Sequence, residues 1–306
     1  MFLPIGDNIE RRTFPVLSCI LVFANALIFA YEIRLVVHNP GNETPLMHFL
    51  HQWGLKPSDL TDGRYVGVLS HMFLHGGFAH ILGNMLCLWA FACSLEVGVG
   101  FWYLGGFYLL WGAAGGMAHA WMNWGSDIPL VGASGAIAGL MGAYAVLYGH
   151  DTRITTLVFI GWKPFTFRVP AMLYCGGWFA MQLLSARWDA HLEGGVAWYA
   201  HIGGFAAGAL TALVVKSELQ WELQKDKDGT LKFYERNYDR FLGKIVVDGV
   251  PIPLAEGDVA GDGSGLPEQC PHCREPLDES RQITAGVARC ANEACARLVY
   301  AGMQYA

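Results

Sequence analysis

A serine and a histidine, residue types that serve as nucleophile and general base, lie in two separate apolar stretches of the chain. Ser134 stands in the small-residue run VGASGAIAG, and His201 begins the run HIGGFAAG. Polar groups inside a bilayer are expensive and by default mark a functional site. A serine hydroxyl becomes a nucleophile when a neighbouring base can take its proton. The two stretches therefore indicate hydrolysis performed inside a membrane.

A third apolar stretch carries His80 and Asn84, which lie one helical turn apart on one helix face. Both side chains can donate hydrogen bonds to a developing oxyanion. The free backbone N–H groups of a helix that begins at Ser134 supply further donors, together with the positive end of its dipole. No carboxylate in the sequence is evidently placed to be the third member of a catalytic triad. The sequence therefore predicts a Ser134–His201 dyad.

The composition is that of a membrane protein. Of the 306 residues, 53% are hydrophobic and only 15% are charged, whereas a soluble domain carries about 25% charged residues. The net charge of −6 gives no support for nucleic-acid binding. A span needs about 20 apolar residues, and six segments approach this length, at residues 14–35, 78–97, 101–122, 134–148, 170–185 and 196–215. We expect an all-α polytopic membrane protein with a retained first span.

Small residues at helical spacing predict how two of these spans meet. Gly135 and Gly139 form one small-residue face, and Gly204 and Gly208 form another. Such faces let two helices approach closely. A helix over residues 134–148 rises about 22 Å, less than the roughly 30 Å of the hydrocarbon core. We therefore expect Ser134 to lie below the outer surface, at the end of irregular backbone that protein or a water-filled cavity surrounds.

Basic residues near the span ends predict the orientation. With six spans they fall on one side of the membrane, which the positive-inside rule assigns to the cytoplasm: Arg11, Arg12, Arg153, Lys163, Arg168 and Lys216. Both termini are therefore expected in the cytoplasm, with residues 1–13 as a cytoplasmic N-terminus. The partly apolar insert at about residues 36–77 is either a membrane-dipping element or a surface loop. His71 and His75 in this insert have a spacing compatible with metal binding, although a structural role in the loop is the simpler interpretation.

Three blocks together resemble the signature motifs of the rhomboid intramembrane serine proteases, in order and approximate spacing: FLHGGFAHILGNM at 73–85, GASGAIAG at 132–139 and AHIGGFAAG at 200–208. The likeness covers roughly residues 14–216. It implies a six-transmembrane-helix fold and cleavage of transmembrane substrates near their outer ends, with no catalytic cofactor. By position, Ser134 is the nucleophile and His201 the general base. His80, Asn84 and the backbone N–H of Ser134 would stabilise the oxyanion.

One position departs from the family pattern. Some members carry an aromatic residue one turn after the serine, which stacks on the catalytic histidine, and this chain has Ala138 there. Another group must then orient His201, or the ring is held less rigidly. The main alternative function is that of a non-catalytic rhomboid-like protein that binds or escorts membrane clients. A transporter or channel is a more distant alternative, because no charged residue lies in mid-span to mark an ion path.

The polar tail carries a separate motif. Residues 217–266 form a charged segment and a Gly/Asp-rich linker, and residues 267–306 hold two short-spaced cysteine pairs that resemble a zinc ribbon or rubredoxin-like module: Cys270, Cys273, Cys290 and Cys295. Four thiolates suit a structural, tetrahedral Zn²⁺ site. Iron and a pair of disulfides are the alternatives, and a reducing cytoplasm disfavours the disulfides. The tail has no basic patch for nucleic acid, and the sequence does not identify a protein partner for the module.

Overall fold

A computed structural model of the chain describes residues 2–11, 13–188 and 197–216, and after these the short ranges 221–225, 230–235, 238–239, 244–247, 250–252, 282–284, 287–289 and 298–300. The chain divides into two compact units. One comprises Met1–Leu219 and Leu223–Phe233, and the other comprises Gln220–Glu222 and Tyr234–Ala306. The four tail cysteines Cys270, Cys273, Cys290 and Cys295 lie outside the described residues. The zinc-ribbon-like module therefore stays a prediction.

Helices make up most of the first unit. In chain order they are α1 Val16–Val37, α2 Thr44–Trp53, α3 Pro57–Thr61, α4 Gly67–Ser70, α5 Phe78–Val99, α6 Phe101–Met122, α7 Ser134–Tyr148, α8 Ala171–Trp188 and α9 Trp198–Val215. The six long helices lie at the six predicted apolar segments. Three of them, α1, α5 and α9, are long and apolar enough by length and composition to cross a membrane, and α7 is a shorter apolar helix.

The insert between α1 and α5 is structured, because it contains α2, α3, α4 and a 3-10 helix at His71–Phe73. Backbone hydrogen bonds join Leu55 and Leu130 in both directions, at 3.0 and 2.9 Å, and Gly132 N–H donates to the carbonyl of His71 at 2.8 Å. The insert thereby fixes the irregular segment that leads to Ser134. Leu130 and Ala133 are buried, so protein surrounds this segment, as such backbone at membrane depth requires.

An antiparallel sheet departs from the all-α expectation. Strand β1 (Leu3–Asp7) pairs with β2 (Arg153–Ile160), which pairs with β3 (Lys163–Pro170) around a turn at Gly161. Arg153, Lys163 and Arg168 lie between two predicted spans, where an all-α fold predicts a basic loop. However, the run Arg153–Ile160 is rich in β-branched and aromatic residues, which favour strands.

A half-buried carboxylate anchors this sheet to the helices. One Asp7 oxygen accepts hydrogen bonds from Ser94 Oγ of α5 at 2.7 Å and from Tyr144 Oη of α7 at 2.6 Å.

The shorter strands that follow are β4 Trp221–Lys225, β5 Leu231–Glu235, β6 Tyr238–Asp239, β7 Lys244–Val247, β8 Val250–Ile252, β9 Gln282–Thr284, β10 Val287–Arg289 and β11 Leu298–Tyr300. In the first unit, the backbone of Leu231 also pairs with Asn8 and Glu10.

Helix α7 lies at the centre of the first unit, since nearly all its side chains are buried. Its contact with α9 depends on glycine. A Cβ added to Gly204 would collide with the carbonyl oxygen of Gly135, and one added to Gly208 would collide with the carbonyl oxygen of Gly139. The predicted small-residue faces therefore do meet, with backbone against backbone.

A buried carboxylate joins α5 to the start of α1. Glu96 accepts hydrogen bonds from the backbone N–H groups of Leu17 and Ser18, at 2.7 and 2.9 Å, and from Ser18 Oγ at 2.8 Å. The first N–H groups of a helix have no partner within the helix, and a negative charge there is stabilised by the helix dipole. Glu96 thus caps α1.

Replacing Gly204 with Ala is expected to separate α7 from α9, because the new methyl group meets the Gly135 carbonyl. Overpacking of this kind costs about 1–3 kcal/mol. The matched control is Gly106→Ala in α6, where an added Cβ has nothing within 4 Å and alanine improves helix propensity by up to about 1 kcal/mol. Thermal unfolding in detergent micelles should show a lower Tm for Gly204→Ala alone. Equal Tm values for the two variants would contradict the close packing.

Candidate active site

Ser134 and His201 lie against each other. Ser134 is the first residue of α7, and His201 lies in the first turn of α9. The distance between Ser134 Oγ and His201 Nε2 is 2.8 Å, within the range needed for proton transfer between a nucleophile and its base. The imidazole is buried, with 8% of its residue surface exposed. The structure thus brings together the two residues of the predicted dyad.

Small residues on α6 and α7 hold the backbone of α9 beside this pair. A Cβ added to Gly115 of α6 would lie 2.5 Å from the carbonyl oxygen of Ala200, and one added to Gly135 would lie 3.5 Å from it. Ala200 directly precedes His201 in the chain. The position of the imidazole is therefore set by backbone packing that larger side chains would prevent.

Gln182 of α8 is a third residue of the site, which the sequence analysis missed. Its Oε1 lies 2.7 Å from Nδ1 of His201, and its Nε2 donates to the carbonyl of Trp178 at 3.3 Å. Only 4% of Gln182 is exposed. A polar residue in an apolar span is itself a signal of function. Gln182 was missed because it carries no charge and lies in none of the three motifs.

Two indole rings flank the imidazole of His201. The ring centroids are 5.5 Å apart for Trp178, in a tilted arrangement, and 6.3 Å apart for Trp198, which lies edge-on. Both rings come from helices other than α7, where Ala138 is fully buried. In some family members an aromatic residue at the position of Ala138 stacks on the imidazole. In this chain, indole rings from α8 and α9 pack around His201 instead.

His80 and Asn84 border the backbone just before the nucleophile. A Cβ added to Gly132 would lie 2.7 Å from His80 Nε2 and 3.7 Å from Asn84 Nδ2. Gly132 has a φ of +125°, a conformation that a residue with a side chain rarely adopts. The structure therefore brings the two predicted oxyanion donors to the segment that leads into Ser134.

Two further residues support Asn84, and the sequence analysis assigned neither to the site. Asn84 Nδ2 lies 2.9 Å from Nε2 of His75; because an amide nitrogen only donates, Nε2 accepts. The carboxylate of Glu32, on α1, accepts from the backbone N–H of His75 at 3.1 and 3.3 Å. Glu32 is 2% exposed. An acidic residue inside an apolar span is a signal of function, but the sequence does not tell which group Glu32 contacts.

The two histidines of the insert have structural partners. His71 Nδ1 lies 2.8 Å from the Gly67 carbonyl, while His75 contacts Asn84. Burial lowers the pKa of each imidazole to about 4, so both are neutral at pH 7. Within the part of the chain that the structure describes, no group of three or more His, Cys, Asp or Glu residues is arranged to hold a metal ion. These contacts favour the structural role over metal binding.

The arrangement suits acyl transfer. It contains a hydroxyl nucleophile paired with an imidazole, N–H donors from two side chains, and the start of a helix whose dipole favours negative charge. Asp127, the acidic residue nearest before Ser134 in the sequence, instead accepts a hydrogen bond from Ser58 Oγ at an exposed position, at 2.7 Å. Its contact gives no support for a role in a triad.

Comparison with known proteins identifies related chains. The sequence model described as "Rhomboid domain" matches residues 62–218, a little over half of the chain. RHOMBOID-like protein 4 of Arabidopsis thaliana is 31% identical over 180 residues, which are 58% of this chain and 41% of that protein. Rhomboid protein 1, mitochondrial, of Saccharomyces cerevisiae is 27% identical over 185 residues, 58% of this chain and 49% of that protein. The chain therefore spans about half the length of these curated relatives.

Stability is expected to fall as the pH is lowered from 6.5 towards 4, because unfolded histidine binds a proton in this range and buried His71 does not. The fall in pKa from 6.5 to about 4 corresponds to roughly 3 kcal/mol for this residue. The variant His71→Gln keeps a donor for the Gly67 carbonyl but does not titrate. Tm measured from pH 7 to pH 4 should fall more steeply for wild type than for the variant. Parallel curves would show that His71 is not buried in its neutral form.

Proposed function

Because the chain belongs to the rhomboid family and is an integral membrane protein, we propose that it is an intramembrane serine endopeptidase. Its substrates are transmembrane proteins, cut near the outer ends of their helices in the lipid bilayer. The observation that carries this proposal is the 2.8 Å distance between Ser134 Oγ and His201 Nε2. Family members that lack activity usually lack one of these two residues, and this chain has both.

The reaction begins when Nε2 of His201 accepts the hydroxyl proton of Ser134 while Oγ attacks the scissile carbonyl carbon. The negative charge that develops on the carbonyl oxygen is stabilised by the backbone N–H of Ser134 together with His80 and Asn84. His201 then gives its proton to the leaving amine, which separates from an acyl-enzyme. A water molecule, deprotonated by His201, hydrolyses the ester and restores the hydroxyl of Ser134.

The substrate must present an unwound peptide bond, because a carbonyl within a helix is already hydrogen-bonded and crowded by side chains. Helix-breaking residues near the cleaved bond meet this requirement. We propose that substrates enter at α8 and at the segment before His201, as the resemblance to the family implies. Residues 189–196 of that segment lie outside the described part of the chain.

We propose that both termini face the cytoplasm and that six helices cross the membrane. Two observations support this orientation. The hairpin of β2 and β3 follows the end of α7 remote from Ser134 and carries the basic residues Arg153, Lys163 and Arg168. Strand β1 pairs with β2, so the N-terminus lies on the same side as these residues.

Replacing Ser134 with Ala should abolish cleavage of a single-span substrate with helix-breaking residues, reconstituted with the enzyme in lipid vesicles. The change removes only a hydroxyl, so Tm should not fall by more than a few degrees. His201→Ala should also abolish cleavage, and it should stop reaction of Ser134 with a fluorophosphonate. The matched control is Ser185→Ala, a half-buried serine of α8 outside the proposed dyad.

Cleavage at the wild-type rate by Ser134→Ala or by His201→Ala would refute the assignment of the dyad. If folded wild type leaves several substrates intact, the proposed protease activity is wrong. That result would instead support the role of a rhomboid-like protein that binds or escorts membrane clients.

We also propose that Cys270, Cys273, Cys290 and Cys295 bind one structural Zn²⁺ ion. The support comes from the chemistry and spacing of the donors, because two short-spaced pairs of thiolates suit tetrahedral coordination. A module of this size has too small a core to fold alone, so the metal would supply its folding energy. No step of the proteolytic reaction uses this ion.

Removal of the metal should unfold the tail and leave proteolysis unchanged. Purified protein is expected to carry one equivalent of zinc by elemental analysis, and Cys273→Ser should lose it. Cys19→Ser, a half-buried cysteine of α1, is the matched control and should keep the zinc. Visible absorbance with iron in place of zinc would identify an iron site, and metal-free protein with a folded tail would rule out metal binding.

A further inference from the structure

We propose that Gln182 is a positioning residue that fixes the tautomer of His201 and thereby makes the reactivity of Ser134 depend on the placement of α8. This inference rests on the proposed function, because it assigns a role within the same dyad. Gln182 takes the place that a carboxylate holds in a Ser-His-Asp triad. It does so with a neutral amide from another helix.

The orientation of the Gln182 amide follows from its two contacts. The carbonyl oxygen of Trp178 can only accept, so the amide group 3.3 Å from it is the NH₂ group. The other end of the amide, Oε1, therefore faces Nδ1 of His201, at 2.7 Å. Because an amide oxygen can only accept, Nδ1 must carry the proton. The backbone of α8 itself thus determines which way the amide points.

The proton on Nδ1 decides what Nε2 can do. In a neutral imidazole one nitrogen carries hydrogen and the other has the free lone pair. With the hydrogen on Nδ1, the lone pair is on Nε2, which lies 2.8 Å from Ser134 Oγ. This is the tautomer that can accept the hydroxyl proton. Without Gln182, both tautomers become populated and the ring can rotate, so only part of the enzyme is ready to react.

The contact between Gln182 and His201 depends on the position of α8, because only one narrow stripe of this helix packs against the rest of the protein. The buried residues of α8 are Ala171, Cys175, Gln182 and Ala186, which lie on one face. The opposite face is exposed, as at Leu173 (68%) and Leu184 (61%). Gln182 is the polar member of the buried stripe. Sideways movement of α8 away from α9 therefore separates both Gln182 and the Trp178 ring from His201, and the dyad loses its orientation.

The test compares Gln182→Leu with Gln182→Glu in the reconstituted cleavage assay with the helix-breaking single-span substrate. Leucine cannot accept from Nδ1, so kcat should fall at least roughly tenfold, and at most by the roughly 10⁴-fold that a wrong histidine tautomer costs a Ser-His-Asp triad, with KM changed less than twofold. Glutamate retains an acceptor oxygen, and when protonated its O–H can still donate to the Trp178 carbonyl. It should recover at least tenfold in kcat over leucine. The control Leu27→Ala, at a leucine of α1 that is 61% exposed and lies away from the substrate entrance, should retain wild-type kcat.

Unchanged kcat in Gln182→Leu would overturn the proposal. It would also be overturned if Gln182→Leu and Gln182→Glu lost activity equally, because only the leucine removes the acceptor. Tm of each variant is measured alongside, and the leucine-to-glutamate comparison is made at temperatures below both transitions. Cleavage that depends on Ser134 must be present in the wild type. If the wild type shows no such cleavage, the proposed function is wrong, and the role of Gln182 is decided by the tautomer measurement below.

A second measurement tests the tautomer without any activity. Protein labelled with ¹⁵N-histidine is compared with His201→Ala, and the difference spectrum isolates the ring nitrogens of His201. We expect hydrogen on Nδ1 and a free lone pair on Nε2 in the wild type, and a mixture of the two tautomers in Gln182→Leu. The same tautomer in both proteins would refute the positioning role, whatever the enzyme cleaves.

Discussion

The contact between α7 and α9 is the constraint on which the site depends. The carbonyl oxygens of Gly135 and Gly139 face Gly204 and Gly208 at distances that leave no room for a side chain. Hydrophobic driving force is weak between helices in lipid, so association depends on close packing. With the two backbones in contact, the first residue of α7 and the first turn of α9 meet, and Ser134 and His201 come within hydrogen-bond distance. A hydroxyl and an imidazole thus share one polar contact in apolar surroundings.

The remaining polar groups form two separate supports around that contact. On one side, Glu32 binds the backbone of His75, and His75 accepts from Asn84 beside Gly132. On the other side, Gln182 and two indoles hold the imidazole. The first support belongs to α1, α5 and the insert, and the second to α8 and α9. The surroundings of Asn84 and the orientation of the imidazole are therefore set by different parts of the molecule.

Much of this organisation could be predicted from the sequence, for physical reasons. Long apolar runs and small-residue faces are local patterns, and they located all six long helices and the α7–α9 contact. Ser134 and His201 could be paired because both stand at the start of such a face. Gln182 and Glu32 could not, because their roles depend on which way α8 and α1 turn against distant helices. The hairpin of β2 and β3 was missed because its basic residues suggested a loop, although the β-branched and aromatic residues of Arg153–Ile160 favour a strand. The tail cysteines remain known only by their spacing.

Strand β1 also has a consequence for biosynthesis. Leu3 pairs with Leu157, and Asp7 accepts from Tyr144, so the residues of β1 find their partners only after roughly 140–150 further residues have been synthesised. At 5–20 residues per second this delay is roughly 10–30 s. During that time the strand has an unpaired edge, which is the kind of surface that promotes aggregation. Completion of the sheet therefore depends on contacts of high sequence separation, and it cannot occur until α1, α5, α6 and α7, which lie between β1 and β2, have been synthesised.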